Sequence, residues 1–218
     1  MKYIKKGHPP QALIEYQKTA NASYGGMHGD VKEEIRKALV EEQKGICAYC
    51  MKRVSPNREK CTIEHYEPQK GVYAKPERQL DYQNMLGVCT DDEGKAGCST
   101  MKKDAALQAL NPQMRSCEKL LRFNKEGVAY GTQERAKADI ETLELNHSIL
   151  IDRRQAVIDE ARKRLMKKAG SHKNWTSTRL EKEIQWWSSV HKTRKSSGLQ
   201  PFCQAAICYL ESKLAAKP

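Results

Sequence analysis

Two cysteine pairs frame the middle of the chain: "CAYC" supplies Cys47 and Cys50, and "GVCTDDEGKAGCST" supplies Cys89 and Cys98. The text between them is short and irregular, with a turn at "SPNRE", a strand at "CTIEHY", a Gly/Pro/Lys loop and a second strand at "NMLGVC". Such a stretch holds together poorly without a staple. A C-x2-C turn presents two thiolates to one tetrahedral ion, and a second pair closes a structural Zn2+ site of four soft ligands. That site is predicted to pin the end of the preceding helix to the second strand. The rival for Cys47 and Cys50 is a redox dithiol, but no thioredoxin-like alternation of strand and helix surrounds them. Cys61, Cys117, Cys203 and Cys208 match no ligand geometry and read as buried apolar thiols.

A chain of 218 residues can bury a core without disulfides, so the cysteines are free for metal chemistry. Its 39 Lys+Arg against 27 Asp+Glu give a formal charge of +12, which suits a polyanionic partner such as nucleic acid or an acidic protein face; a merely solvated basic surface is the plainer reading. No run of 18 apolar residues is present to span a bilayer, and "MKYIKKGHPP" lacks the apolar stretch of a secretory signal. No membrane partner and a cytoplasmic location are the expectations.

Periodicity outlines three regions. In residues 1–45 a polar start leads to a helix with Val31, Ile35 and Leu39 on one face, capped by Asp30 and stopped at Gly45. Residues 46–112 hold the two strands and then a helix, capped by Ser99 or Thr100 and predicted to run through Leu110 to the Asn111-Pro112 pair. In residues 113–218 a loop at "RFNKEGVAYGTQE" precedes helices over Glu134 to Leu145 and over "HSILIDRRQAVIDEARKRLMKKAG". The latter shows Ile151, Ile158 and Leu165 every seven residues, joined by Val157 and Ala161, with Gly170 as its stop. Two further helical segments carry Trp175, Trp186 and Trp187, then Phe202, Ile207, Leu210 and Leu214. The tryptophans at helical spacing read as core or partner-facing ahead of a base-stacking platform.

Glu64 and His65 end the first strand, between the two cysteine pairs, and Asn84 stands immediately before the second. A lone Glu-His dipeptide is more often a surface accident. A carboxylate beside an imidazole, with a carboxamide able to bind that ring or support its backbone, is what metal-assisted phosphodiester hydrolysis requires. His65, with an unperturbed pKa of about 6.5, can take a proton from water. Glu64 offers hard oxygen to Mg2+ or Mn2+. The basic stretch Arg162, Lys163, Arg164, Lys167 and Lys168 suits backbone phosphates or the solvated face of a helix about equally.

Taken together, "CAYC", "IEHYEP", "QNMLGVC" and "CSTMKKD" resemble the HNH, or ββα-metal, endonuclease family. The resemblance implies an α+β, mostly α-helical fold in which a zinc-stapled ββα-metal module is embedded among helices. It assigns His65 as general base, Glu64 as acidic ligand of a catalytic Mg2+ or Mn2+, Asn84 as the central asparagine and Lys102 as the helix lysine at the nucleic acid. Where the family has His, Asn or Asp after the last cysteine, this chain has Ser99, a weaker ligand of the catalytic ion: either Ser99 binds it through a water, or Asp104, Asp91 or Asp92 substitutes, or catalysis is impaired. The N-terminal "MKYIKKGHPPQAL", "IETLELNHSILIDRR" and "PFCQAAICYLESKL" are similar to the PtuB-like HNH nucleases of Septu and retron-type antiphage defence. That similarity implies an antiviral endonuclease acting on DNA or RNA, held or delivered by a PtuA-like ABC/SMC-type ATPase. The alternative is a catalytically inactive zinc-stapled subunit that binds nucleic acid or the ATPase.

Overall fold

The computed structural model describes residues 1–91, 94–171, 174–192 and 197–217. The fold is α+β, with small antiparallel strand pairs set among helices. Helices α1 (Gln11–Tyr16) and α2 (Gly29–Glu42) come together over Leu13, Met27, Ile35 and Leu39, so the predicted apolar face of α2 is buried. Ile63, Tyr82 and Met85 complete this smaller core, and through them α2 packs on the first strand pair, β1 (Thr62–His65) and β2 (Met85–Val88). These strands are antiparallel, with Glu64 opposite Leu86 and His65 opposite Met85.

Helix α3 (Cys98–Lys102) follows β2, giving the order β, β, α that the motifs predict. It is far shorter than expected and ends at Lys102, not Leu110. Lys103 has a positive φ of 47°, which breaks the helix, and the amides that would have extended it are taken elsewhere. Gln108, Ala109 and Leu110 donate their backbone N–H groups to the buried carboxylate of Asp139 at 2.7, 2.8 and 2.7 Å. Three such bonds satisfy the backbone as a helix would, so the segment wraps around a side chain instead.

The stretch read as a loop after residue 120 is ordered. Helix α4 (Cys117–Leu120) runs into β3 (Leu121–Phe123), which pairs with β4 (Ala129–Gly131). Asn124 makes the turn, its Oδ1 accepting from Glu126 N at 3.1 Å and Val128 N at 2.8 Å. Helices α5 (Glu134–Thr142), α6 (Ser148–Ala169), α7 (Ser177–Ser188) and α8 (Cys203–Ala215) form the larger core, and a two-residue pair, β5 (His191–Lys192) with β6 (Ser197–Gly198), lies between the last two helices.

Gly170 ends α6 in a left-handed conformation, as predicted. The buried stripe of α6 is Leu150, Arg154, Ile158, Ala161 and Leu165; Ile151 is only half-buried. Helix α8 packs on α6, α7 and β3, and Cys203 through Leu210 are buried on every side. Phe202, Ile207 and Leu210 are thus core residues of this chain, as are Trp175 and Trp187, and Leu214 is partly buried. Cys61, Cys117, Cys203 and Cys208 are buried free thiols. The divisions drawn at residues 45 and 112 coincide with no gap in packing: Leu199 N donates to Lys44 O at 2.9 Å, Phe202 N to Met51 O at 3.1 Å, and Ile4 N to Pro112 O at 2.7 Å. Among the described residues no helix is long and apolar enough to cross a membrane.

Candidate functional site

The turn after α2 is tight because Cys47 N donates to Lys52 O at 2.8 Å and Met51 N to Cys47 O at 3.1 Å, which aims Cys47 and Cys50 the same way. Cys89 follows β2 and Cys98 opens α3, so the two pairs converge: the four buried Sγ atoms all lie within 4.8 Å of one another. Cys50 to Cys89 is 3.6 Å and Cys89 to Cys98 is 3.7 Å, too long for a disulfide and close to the edge of about 3.8 Å that four sulfurs around zinc would have. Gly97 permits this closure, since a Cβ there would meet Cys89 O at 2.5 Å. Cys89 N points at Cys47 Sγ from 3.4 Å, the kind of amide contact that steadies a thiolate.

Arg154 brings a buried positive charge to the neighbourhood of these sulfurs. Its guanidinium is buried, donates to the carbonyls of Gly127 (2.7 Å) and Leu145, and leaves Nε without a partner. Burial pulls its pKa down to about 10, while the negative character of Cys50 and Cys98 pulls it back up. A buried cation with no carboxylate partner in its hydrogen bonds suits the net charge of −2 of a zinc tetrathiolate. The four cysteines therefore fit Zn2+, and they are, among the described residues, the one group of three or more His, Cys, Asp or Glu placed to hold a metal ion.

Glu64 sits across from α3 and has both carboxylate oxygens occupied. Oε2 accepts from Ser99 Oγ, and Oε1 lies 3.0 Å from Lys102 Nζ. Lys102 also donates to His65 O at 2.9 Å, and its side chain has no exposed surface. This corrects the assignment of Lys102 to the nucleic acid: its ammonium is the internal counter-ion of Glu64. Burial raises the Glu64 carboxyl, and Lys102 and Ser99 oppose that rise. In this structure the Glu64 carboxylate is satisfied by Ser99 and Lys102 alone. Asp91 Oδ1 accepts from Gly97 N at 2.6 Å and from Thr100 Oγ1 at 3.1 Å. Asp104 is exposed and near enough to push the Glu64 carboxyl up; Asp92 lies outside the described residues.

His65 Nε2 lies 2.9 Å from Gln79 O, which can only accept, so Nε2 carries the proton and Nδ1 the lone pair. The Gln69 amide lies 3.1 Å from the same nitrogen and, with the proton on Nε2, must present its oxygen there as a second acceptor, and the Tyr24 ring meets the imidazole edge-on with centroids 4.6 Å apart. Burial lowers the His65 pKa, with Lys102 adding to the effect and the Gln79 bond opposing it. Asn84 does not touch the ring. Its Oδ1 accepts from Glu67 N at 2.8 Å, while its Nδ2 donates to Glu67 O at 3.1 Å and Arg78 O at 3.4 Å. Asn84 thus braces the 66–79 loop that brings Gln79 to His65, bonding the backbone of Glu67 and Arg78 where the ring or the backbone of His65 was expected.

The basic stretch on α6 is divided. Arg164 and Lys168 (2.8 Å) pair with the fully buried Glu183, Arg164 stacks over Trp186 at 3.5 Å, and Arg162 pairs with Asp159 at 3.0 Å. Lys163 and Lys167 remain on the exposed face. Gln79, Gln69, Tyr24, Gly97 and Arg154 were not singled out from the sequence; only Arg154 leaves a signal there, as a charge on an otherwise apolar helical stripe. No model of a known protein family and no curated protein matches the chain.

Proposed function

We propose that the chain hydrolyses phosphodiester bonds of nucleic acid at His65, as an HNH-type endonuclease whose ββα module is stapled by zinc. The observation that carries this reading is His65 itself: its Nε2 proton rests on Gln79 O, which leaves the lone pair on Nδ1, and it is held at the end of β1 beside Glu64. In this reading Nδ1 takes a proton from water, the water oxygen attacks phosphorus, one P–O ester bond breaks, and the departing oxygen takes up a proton from solvent. Gln79 and Lys102 hold the imidazole from opposite ends, through the ring and through the backbone carbonyl. The zinc supplies rigidity alone, fixing β2 and α3 against the turn at Cys47.

A PtuA-like ATPase belongs to the same reading as the partner that holds or delivers the nuclease. Because α8 is consumed in the core, such a partner would meet other surfaces. The second reading, an inactive zinc-stapled subunit that binds nucleic acid or the ATPase, is favoured by the Lys102–Glu64 pair and by Ser99 in the ligand position. Incubating purified chain, with and without the ATPase, with plasmid, single-stranded DNA and total RNA in Mg2+, Mn2+ or chelator separates the two. Cleavage that His65→Ala abolishes supports the first; intact substrate in every condition supports the second.

A further inference from the structure

Val72 and Tyr73 are the most exposed large apolar side chains among the described residues, with 95% and 66% of their surfaces open. They sit together at the tip of a closed loop, where chance surface residues would be polar. Lys75 N donates to Pro68 O at 2.7 Å, shutting the base, and Ala74 N to Gly71 O at 3.2 Å, turning the tip with Gly71 at a φ of +86°. Below the base, Asn84 grips Glu67 and Arg78, and Arg78 pairs with Glu67 and, at 2.6 Å, with Asp81. The loop is therefore held from beneath while its tip stands in solvent. It is also tied to the candidate base, since Gln69, one residue past Pro68, meets His65. A groove of about 380 Å3 runs along it, its lining including Tyr66, Glu67, Val72, Tyr73, Lys75 and Leu107.

We propose that this tip is a nucleobase wedge: the Tyr73 ring and Val72 stack against a base of a single-stranded nucleic acid, while Lys70 and Lys75 hold the flanking phosphates. Both lysines are exposed on the same loop, so an apolar tip is bracketed by two cations. That alternation of stacking surface and positive charge fits a strand whose bases are splayed and whose phosphates repeat beside them. A paired duplex offers the tip a base face only at its ends or where a step is unstacked, and unstacking costs free energy at every step. The inference names the substrate class for the hydrolytic reading and rests on that reading for its position beside His65. It assigns open strands, loops or ends, over intact helix.

The test is binding in chelator, where hydrolysis plays no part. Fluorescent single-stranded DNA, single-stranded RNA and duplex DNA of equal length are titrated with the wild-type chain, Tyr73→Ala, Tyr73→Phe and the pair Lys70→Ala with Lys75→Ala, and a 2-aminopurine strand reports stacking. Single strands should bind more tightly than duplex, Tyr73→Ala should weaken them about tenfold with loss of 2-aminopurine quenching, and Tyr73→Phe should keep both. Removing the two lysines should flatten the slope of log affinity against log salt by about 0.7 for each lost phosphate contact. The DNA and RNA arms show which strand is preferred. Because the tip is exposed, melting temperatures should be unchanged. Equal binding by Tyr73→Ala, preference for duplex, or binding by protein partner alone with no affinity for single strands would overturn the wedge. Cleavage lost in His65→Ala beside any of those outcomes would leave the hydrolytic reading standing.

Discussion

The carboxylate of Glu64 is buried beneath α3 and kept there by two partners, the Ser99 hydroxyl and the Lys102 ammonium. Breaking one half of a buried ion pair leaves the other half uncompensated, which costs about 3–5 kcal/mol, whereas replacing both halves with groups of similar shape can be nearly neutral. Glu64→Gln and Lys102→Met should therefore each destabilise the fold by about that amount, and the double variant much less; denaturant unfolding of the four proteins measures the coupling. His65 makes a separate prediction about pH. Its pKa is lowered by burial, so the folded chain binds this proton more weakly than the unfolded chain does. The stability it contributes is then complete above its unfolded value of about 6.5 and is lost as pH falls through that value toward the lowered one. Any hydrolysis using Nδ1 should likewise keep its rate down to about pH 6.5 and fall on an acid limb below it, a limb that His65→Ala removes along with roughly 10²- to 10⁴-fold of the rate. The sequence shows Glu64, His65 and Ser99 because residue type and spacing carry that information. It does not show that Lys102 answers Glu64, since a charge on a short helix looks solvated until the helix is docked.

The 66–79 loop and its brace decide how firmly His65 is held. Asn84 binds both backbone groups of Glu67 and the carbonyl of Arg78, closing the loop against the start of β2. Asn84→Ala would strand those buried polar groups at about 1–3 kcal/mol each if fully desolvated, and less where water replaces the side chain. The expected result is faster amide hydrogen exchange at residues 66–79 and a lower rate at His65, with zinc content unchanged, because no cysteine depends on this carboxamide. If exchange quickens equally in α6 and α8, the brace is a global contact and this account of Asn84 fails. Elements whose order comes from their own periodicity were legible beforehand: α2 by Ile35 and Leu39, α6 by Ile158, Ala161 and Leu165, and the strands by their β-branched and apolar runs. Elements set by distant side chains were not. The end of α3 depends on Asp139 taking the amides of Gln108 to Leu110, some thirty residues away in sequence. The hairpin of β3 and β4 has only three residues a side, too few for alternation to stand out from a loop.

Across the whole chain the four-cysteine cluster is not a separate module. Cys47, Cys50, Cys89 and Cys98 belong to the same buried cluster as Ile158, Leu165, Trp187 and Leu210, and Met51, in the turn they share, is bonded to Phe202 at the start of α8. Arg154 extends this continuity electrostatically, carrying a buried positive charge from α6 toward Cys50 and Cys98. A sequence divided at residues 45 and 112 suggests that losing the staple would unfold residues 47 to 110 and spare the later helices. The packing predicts the opposite. Removing zinc with a strong chelator, or changing Cys47 or Cys98 to Ser, should leave buried thiols that repel or must protonate, and an Arg154 without its counter-charge in the middle of one core. Structural zinc of this kind commonly contributes about 10–16 kcal/mol of apparent binding free energy, more than most domains have in total stability. Thermal unfolding followed at once by helical circular dichroism and by tryptophan fluorescence decides the matter, since Trp175 and Trp187 lie far along the chain from the cysteines. Both signals should fall together and at lower temperature when zinc is absent. A fluorescence transition that stays at its original temperature while the helical signal partly melts would mean that the C-terminal helices stand alone, and that the Met51–Phe202 bond and the charge of Arg154 contribute little to stability.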